Sequence, residues 1–363
     1  MIHSITMQER EGRPRLNRDF HPDHHIRWGV WGPGAISHKF ADALDVVHDG
    51  YVLAIGSRHL DHAQAWASQH HAPRAYGSLA DLAADNDVDI VYVASPMSAH
   101  YEDCKRLLEA GRSVLCEKAV TLNLEQLLDL LRIAEANGCF FMEAMWTRFL
   151  PTVQEAVRVL NDGMIGELRI VRASFNMETP FNPESRLFDP RLGGGALLDV
   201  GIYPLAMALI FMGDRVQKIH TEAVIGPTGV DHNHDILLSY ADGYAALAAG
   251  VSQPEPIVCD VIGTRGRLHL HDPFNGCEEI RAYNEYGHEI HHFHWGHERN
   301  GFEFEIRAVH HALKQGQIWH DDWSWQHSIA SMAIMDSCRR EWEMSFPGEK
   351  ADALGNYLEI PQI

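Results

Sequence analysis

The chain has 363 residues, 45% of them hydrophobic and 22% charged, and its formal net charge at pH 7 is −20. A chain of this length is expected to form about two domains, and its composition excludes a disordered protein. The strong negative charge argues against a nucleic-acid partner, because binding to phosphate groups requires a basic surface.

The first 25 residues mix charges, histidines and two prolines without periodicity. We therefore predict a mobile N-terminal arm over residues 1–25. The six cysteines form no C-x-x-C pair and most lie in apolar runs, which indicates buried free thiols. Because no basic and apolar leader opens the sequence, we expect a reducing, cytoplasmic location.

Over residues 26–146, short apolar runs alternate with helical patterns, as in βαβ units around a parallel sheet. Near-continuous apolar runs are typical of strands that are covered on both faces. The predicted strands are IRWGVWG, YVLAIGS, DIVYVAS, SVLCEK and CFFMEAM. This region is predicted to be a doubly wound, dinucleotide-binding Rossmann domain of the α/β class.

Residues 147–363 follow a different pattern. Predicted strands occupy 168–175 and recur from 217 to 295, with predicted helices over 153–160, 302–314 and 325–343. Strands flanked by helices indicate an α+β domain with a large, open, mainly antiparallel sheet. The apolar segment 196–213 contains Asp199 near its middle, which favours a buried helix over a membrane span.

The stretch Gly32-Pro33-Gly34-Ala35-Ile36-Ser37 resembles G-x-G-x-x-G with serine at the third glycine. It follows an apolar strand and opens a helix, which is the context that a dinucleotide-binding turn requires. Gly32 permits the tight turn, and Gly34 lets the backbone of Ala35 and Ile36 approach a pyrophosphate at the helix N-terminus. The alternative is a plain loop between strand and helix.

The end of the second predicted strand indicates which dinucleotide binds. An NAD site places an acidic residue there to accept a hydrogen bond from the ribose 2′-hydroxyl. This chain has Ser57 and Arg58 instead. Because a guanidinium binds phosphate oxygens through two parallel donors, the pair favours NADP, while NAD stays possible and an ordinary exposed arginine is the alternative.

Polar residues follow the later strands, at the sheet edge where ligands of doubly wound proteins bind. A further polar pair, Asp199 and Tyr203, has i, i+4 spacing on the helix that follows three consecutive glycines. The candidate residues at the strand ends are Ser95, Pro96, His100, Glu117, Lys118, Glu143, Trp146 and Arg148. Taken singly, a strand-end lysine is usually solvated, and an aspartate–tyrosine pair is often only a surface hydrogen bond.

In combination, these motifs resemble the Gfo/Idh/MocA oxidoreductases over nearly all the chain after residue 25. The resemblance is carried by the glycine turn, by S-P-x-x-x-H and by GGG-x-L-x-D-x-G-x-Y. EKAVTLN, EAMWTRFLP and GFEFEIRAV resemble the branch of dimeric dihydrodiol dehydrogenase and NADP-dependent D-xylose dehydrogenase. Two departures are Ala119, where the family usually has proline, and Tyr203, where many relatives have histidine.

The resemblance implies hydride transfer between NADP and a carbinol or carbonyl carbon. Lys118 would donate to the developing oxygen and lower the pKa of Tyr203, which would exchange the proton, while Asp199 would bind a substrate hydroxyl. Around the cofactor and the substrate the resemblance places Pro96, His100, Glu117, Trp146 and Arg148. His100 has an alternative role as the cap of the following helix.

The histidine-rich run over residues 288–297 raises the question of a metal site. Strand alternation would place His292 and His294 on one face. Neither cysteines nor an acidic cluster completes a ligand set nearby, so we expect a solvated face or edge strand rather than a metal.

The sequence thus predicts an NADP-dependent enzyme acting on a sugar, polyol or cyclic diol. The alternatives are a non-catalytic dinucleotide-sensing regulator and an enzyme that recycles tightly bound NAD within one turnover. The resemblance also implies a homodimer, or a dimer of dimers, formed through the open sheets. We expect no membrane partner.

Overall fold

A six-stranded parallel sheet occupies the first half of residues 14–349, the part of the chain that the computed structural model describes. Its strands run in the order β3-β2-β1-β4-β5-β6, which confirms the predicted doubly wound domain. They are β1 (Ile26–Trp31), β2 (Gly50–Gly56), β3 (Arg74–Tyr76), β4 (Ile90–Val93), β5 (Ser113–Glu117) and β6 (Phe141–Ala144). Only β3 was not predicted, because three residues of sequence RAY form no apolar run.

Five helices connect these strands and cover the sheet. They are α1 (Ala35–Leu44), α2 (Leu60–His70), α3 (Leu79–Ala84), α4 (Met97–Glu109) and α5 (Leu124–Asn137). Every residue of β4 and β5 is buried, which explains why β4 is apolar throughout and why β5 is polar only at its two end residues, Ser113 and Glu117. Burying each large aliphatic side chain contributes about 1.5–3 kcal/mol, so the carboxyl ends of these strands are firmly placed.

The second half of the chain contains an eight-stranded sheet in the order β14-β13-β12-β11-β7-β10-β9-β8. Only β7 and β10 pair in parallel, which confirms the predicted mainly antiparallel sheet. The strands are β7 (Leu168–Asn176), β8 (Lys218–Ile225), β9 (Asp231–Tyr240), β10 (Gly243–Gly250), β11 (Cys259–Gly263), β12 (Gly266–Leu270), β13 (Glu279–Asn284) and β14 (Glu289–His294).

Four helices accompany this sheet: α6 (Pro151–Asn161), α7 (Ile202–Met212), α8 (Phe302–Lys314) and α9 (Trp325–Glu341). Residues 190–212 are the one stretch of the described chain that is long and apolar enough to cross a membrane, and 94% of the most apolar part is buried inside the protein. The prediction of a buried helix in this segment is therefore confirmed.

Residues 14–25 contact both halves of the chain, although the sequence predicts that they belong to a mobile arm. Leu16 is buried, and its backbone N–H donates to the Gly316 oxygen at 3.0 Å. His24 Nε2 lies 2.7 Å from the carboxylate of Asp89. These contacts join residues distant in sequence, so periodicity does not reveal them. Residues 1–13 of the predicted arm lie outside the described residues.

The histidine-rich run forms β14, which is the outer strand of the second sheet, as predicted. His292 and His294 are exposed on one face of this strand, and His292 Nε2 lies 3.2 Å from Glu279. Among residues 14–349, no group of three or more histidine, cysteine, aspartate or glutamate side chains is arranged to hold a metal ion.

Candidate active site

The glycine turn brings the backbone of α1 close to the end of β4. Gly32 has φ of +102°, and a Cβ there would lie 2.9 Å from the Ala94 carbonyl and the Ser95 nitrogen, so no larger residue fits. A Cβ on Gly34 would have open space, with the nearest atom 3.9 Å away. Gly34 is the N-cap of α1 and supplies no side-chain cap, so the first N–H groups of Ala35 and Ile36 stay available to an anion.

Ser37, at the third glycine position, is fully buried between the turn and its neighbours. Its hydroxyl donates to the Gly34 oxygen at 2.7 Å and accepts from Trp66 Nε1 at 3.0 Å. The serine therefore allows the close packing that glycine usually provides, and it also closes the turn.

Two strand ends next to the turn carry groups that suit a dinucleotide. Ser57 is buried at the end of β2 and Arg58 is exposed beside it. At the end of β4, the buried hydroxyl of Ser95 has no hydrogen-bond partner within the described part of the chain, and Pro96 caps α4 next to it. A buried hydroxyl without a partner is costly, so Ser95 is suited to contact a ligand. These residues fit a nicotinamide dinucleotide.

Lys118 follows β5 and meets residues from the second half of the chain. Its Nζ donates to the backbone oxygen of Asp199 at 2.5 Å and lies 3.3 Å from the carboxylate Oδ1. The same Nζ lies 5.1 Å from the centre of the Tyr203 ring, whose hydroxyl accepts from Trp146 Nε1 at 3.1 Å. The structure thus brings together Lys118, Asp199, Tyr203 and Trp146, as the sequence predicts.

The position of Asp199 depends on the turn that precedes α7. Residues Leu197–Gly201 form a π-helical turn rather than a continuous α-helix, a feature often found at functional sites. The turn is held by Asp231, whose Oδ2 accepts from Leu197 N at 2.9 Å. Gly195, with φ of +120°, leaves room for this carboxylate, since a Cβ there would lie 2.4 Å from Asp231 Oδ1.

Two buried side chains hold the backbone next to Lys118. The ring nitrogens of His100 lie 3.0 Å from the Ala119 oxygen and 2.9 Å from the Ser95 oxygen, and this side chain does not cap α4. Glu143 accepts from Val120 N at 3.0 Å through one oxygen and from Trp323 and Ser328 through the other. His100 and Glu143 therefore position the lysine loop.

Glu117 occupies the base of the site. Its carboxylate accepts a hydrogen bond from the hydroxyl of Tyr92 and another from the backbone nitrogen of Lys118 at 3.2 Å. Burial raises the pKa of Glu117, and the Tyr92 hydroxyl and the charge of Lys118 offset part of this effect. Glu117 thus orients Lys118 through the hydrogen bond to its backbone nitrogen.

The electrostatics of the lysine and the tyrosine correct one prediction. Burial lowers the pKa of Lys118, but Asp199, Tyr203 and Glu117 together outweigh this effect, with Asp199 contributing most, so the pKa lies above its usual value. Burial raises the pKa of Tyr203, and Lys118 only partly offsets this, so the expected lowering of the Tyr203 pKa is wrong.

Arg148, predicted as a substrate anchor, directs two of its donor groups to Asp322, and its buried Nη1 has no hydrogen-bond partner among the described residues. Its Nε donates to the Asp322 backbone oxygen at 3.0 Å and Nη2 to the Asp322 carboxylate at 2.7 Å. Sequence reasoning missed Arg186 instead, whose Nη1 donates to Asp199 Oδ1 at 2.7 Å. Arg186 lies in the long segment between β7 and α7, and neither periodicity nor a motif marks it.

A Rossmann domain with a glycine turn, together with a lysine–tyrosine pair drawn from two halves of the chain, is the architecture of an NAD(P)-binding oxidoreductase. Residues 26–145 match the oxidoreductase family with an NAD-binding Rossmann fold, and residues 153–269 match the Gfo/Idh/MocA C-terminal domain. The chain belongs to the Gfo/Idh/MocA oxidoreductase family.

Curated relatives include trans-1,2-dihydrobenzene-1,2-diol dehydrogenases. The one from Danio rerio is 36% identical over 249 residues, covering 68% of this chain and 74% of the relative. The one from Bos taurus is 35% identical over 252 residues, covering 68% and 75%.

Solved structures with a similar fold include a 3-ketoreductase from Actinomadura kijaniata in complex with NADP and TDP-benzene. It is 28% identical with a TM-score of 0.76, over 87% of this chain and 97% of that one. An aldose-aldose oxidoreductase from Caulobacter crescentus has a TM-score of 0.79 over 87% and 97% of the two chains; at 20% identity it shows the fold alone.

Proposed function

We propose that this protein is an NADP-dependent dehydrogenase or reductase that acts on a CH–OH group of a cyclic diol, sugar or polyol. The observation that carries the proposal is the meeting of Lys118, Asp199 and Tyr203 at the end of β5, in a Rossmann domain that also carries the glycine turn. The dihydrodiol dehydrogenases at about 35% identity support the substrate class.

The dinucleotide would supply or accept the hydride, and the chain's own residues would manage the proton and the orientation. Lys118 and Tyr203 are both protonated at neutral pH, since both pKa values lie above their usual values. They can therefore donate hydrogen bonds to a carbonyl oxygen as negative charge develops on it. Tyr203 Oη then supplies the proton during reduction and receives it during oxidation.

Trp146 and Asp199 complete the substrate site. Trp146 fixes the Tyr203 hydroxyl through its indole N–H and presents an apolar ring that also contacts Phe302, with ring centres 5.1 Å apart. Asp199 would accept from a substrate hydroxyl. Lys118 and Arg186 counter the effect of its burial, and its pKa lies below the usual value, so the carboxylate is ionised.

The preference for NADP rests on Ser57 and Arg58 at the end of β2, where no acidic residue is present to accept from a 2′-hydroxyl. We expect purified protein to bind NADPH more tightly than NADH in fluorescence titrations. Arg58→Ala should weaken NADPH binding by about 10- to 100-fold, the cost of one charged hydrogen bond, and leave NADH binding nearly unchanged. The affinity of Arg58→Lys for NADPH should lie between those of the wild type and Arg58→Ala, because lysine keeps the positive charge but lacks the two parallel donors of the guanidinium.

Equal losses for NADPH and NADH would contradict the role of Arg58. If wild-type protein bound neither nucleotide, the proposed enzyme and the dinucleotide-sensing regulator would both be contradicted. Tight binding of NADPH without activity on any alcohol would favour the regulator. Cofactor released by denaturing freshly purified protein would instead support tightly held NAD that is recycled within one turnover.

The quaternary state follows from the open face of the second sheet, and we propose a homodimer through it. No described element covers this face, where Ala246 and Ala248 line a shallow groove of about 390 Å³ and Leu237 is 38% exposed. Arg172 on one side and Asp235 on the other provide opposite charges that a twofold axis can pair.

The six cysteines are buried and free, which supports a reducing, cytoplasmic location.

A further inference from the structure

Arg186 reaches the carboxylate of Asp199 from the solvent side. Its Nη1 lies 2.7 Å from Asp199 Oδ1, and its Nη2 lies 3.5 Å from Oδ2. The Arg186 side chain is 66% exposed, whereas the Asp199 side chain is only 9% exposed. Because Arg186 itself is exposed, solvent screens its pairing with the buried Asp199 carboxylate and limits the contribution of this pair to stability.

The two oxygens of Asp199 differ in how far their acceptor capacity is used. Oδ1 receives Lys118 Nζ at 3.3 Å and Arg186 Nη1 at 2.7 Å, which accounts for both of its lone pairs. Oδ2 has only the long contact with Arg186 Nη2. Asp199 Oδ2 can therefore accept a further hydrogen bond, and Arg186 Nη2 beside it can donate one. A single hydroxyl group can bind to both atoms, because it donates one hydrogen bond and accepts others.

This paired acceptor and donor adjoins the position of the reacting oxygen. Lys118 Nζ, the proposed partner of that oxygen, is also in contact with Asp199. We propose that Asp199 and Arg186 together bind a hydroxyl on the carbon adjacent to the reacting carbinol, so that Arg186 makes the enzyme select vicinal diols over simple alcohols. This inference rests on the proposed function, and it assigns the preference of the enzyme for vicinal diols to Arg186.

The test compares kcat/KM for trans-cyclohexane-1,2-diol and cyclohexanol, with NADP, in the wild type and in Arg186→Ala. The ratio of diol to mono-alcohol should fall about 10- to 100-fold in the variant, the range for one lost hydrogen bond to a charged group. Arg186→Lys should restore part of the ratio. The ratio is read within each variant, so a general structural defect that slows both alcohols leaves it unchanged.

Arg191→Ala is the matched control. Arg191 lies in the same segment, is 74% exposed and pairs with the buried Asp189 at 2.7 Å, as Arg186 pairs with Asp199. Its variant should keep the wild-type ratio. An unchanged ratio in Arg186→Ala, or an equal fall in Arg191→Ala, would overturn the assignment of Arg186 alone. A wild type that binds NADPH but oxidises neither alcohol would count against the proposed function, and the inference would fall with it.

Discussion

At the scale of single residues, the central feature of the site is the Asp199 carboxylate, which contacts both Lys118 and Arg186. Asp199 holds Lys118 through both its backbone oxygen and its side chain, and it raises the pKa of that lysine against the effect of burial. Tyr203 is surrounded by apolar and aromatic groups, including Phe175 with ring centres 5.4 Å apart. Both groups are therefore proton donors at neutral pH, which suits reduction of a carbonyl.

This protonation state predicts a pH dependence. Oxidation of an alcohol requires Tyr203 to accept a proton, so kcat/KM for oxidation should rise as pH increases from 7 to 10, whereas reduction should not rise. Tyr203→Phe should lower turnover by about 10²- to 10⁴-fold and flatten the slope. Lys118→Ala should cause a loss of similar size with NADPH binding nearly intact. The measurement is a pair of pH–rate profiles with the same substrate in both directions.

Lys105→Ala serves as the control, because Lys105 of α4 is paired with Asp129 of α5 and makes no contact with Asp199 in the described structure. A Tyr203→Phe variant that kept the alkaline rise of the wild type would show that another group exchanges the proton.

At the scale of elements, α9 supports the loop that follows Lys118. Asp336 accepts from Leu124 N at 2.9 Å, and Arg339 donates to the Leu122 oxygen at 2.9 Å. The helix begins after Ser324, whose backbone N–H donates to His327 Nδ1 at 3.1 Å. This contact requires a neutral ring with an unprotonated Nδ1. The start of α9 is therefore sensitive to protonation.

His327 predicts an acid-dependent loss of stability. Burial, and to a smaller extent the charge of Arg148, lower the pKa of His327 to about 4. Because this pKa is lower in the folded protein, the unfolded chain takes up the proton first as pH falls. The contribution of His327 to the free energy of unfolding is therefore complete above about pH 6.5 and is lost as pH falls toward 4. The shift corresponds to about 3 kcal/mol in the free energy of unfolding.

His327→Gln is the informative variant, because glutamine can accept from the same backbone N–H in a capping box but does not titrate. Urea unfolding at pH 7 and pH 4.5 should show a smaller loss of stability for this variant than for the wild type. His288→Gln, on the exposed turn before β14, should behave like the wild type. Parallel losses in all three proteins would exclude His327 as the acid-sensitive group.

At the scale of the whole molecule, the open face of the second sheet is the surface through which we propose that the chain dimerises. A stable interface buries about 1,200–2,000 Å² in total, and a broad sheet face of this kind can supply it. Ala246→Arg places a charge at the centre of the face and should convert a dimer into a monomer of 41.0 kDa, measured by light scattering after size exclusion.

Tyr286→Arg is the matched control, since Tyr286 is 77% exposed on the β13–β14 turn, away from the face. It should leave the mass unchanged. A wild type that is already monomeric at micromolar concentration would exclude the proposed interface.

Local patterns predicted much of this molecule. Apolar runs located five of the six parallel strands, because strands buried on both faces need apolar side chains throughout. The glycine turn was recognisable because its constraint is local: Gly32 adopts a backbone conformation that other residues avoid. Lys118, Asp199 and Tyr203 were found through motifs whose order along the chain matches their elements.

By itself, the sequence determined the fold class and located the glycine turn and most of the proposed catalytic group, because each depends on short-range spacing or on a recognisable motif. Only the tertiary structure decided the partners of the remaining residues. Arg148 turned out to bind Asp322, Arg186 joined Asp199, and burial rather than Lys118 set the pKa of Tyr203. These outcomes depend on distances between segments far apart in the chain and on exclusion of water, neither of which a local pattern encodes.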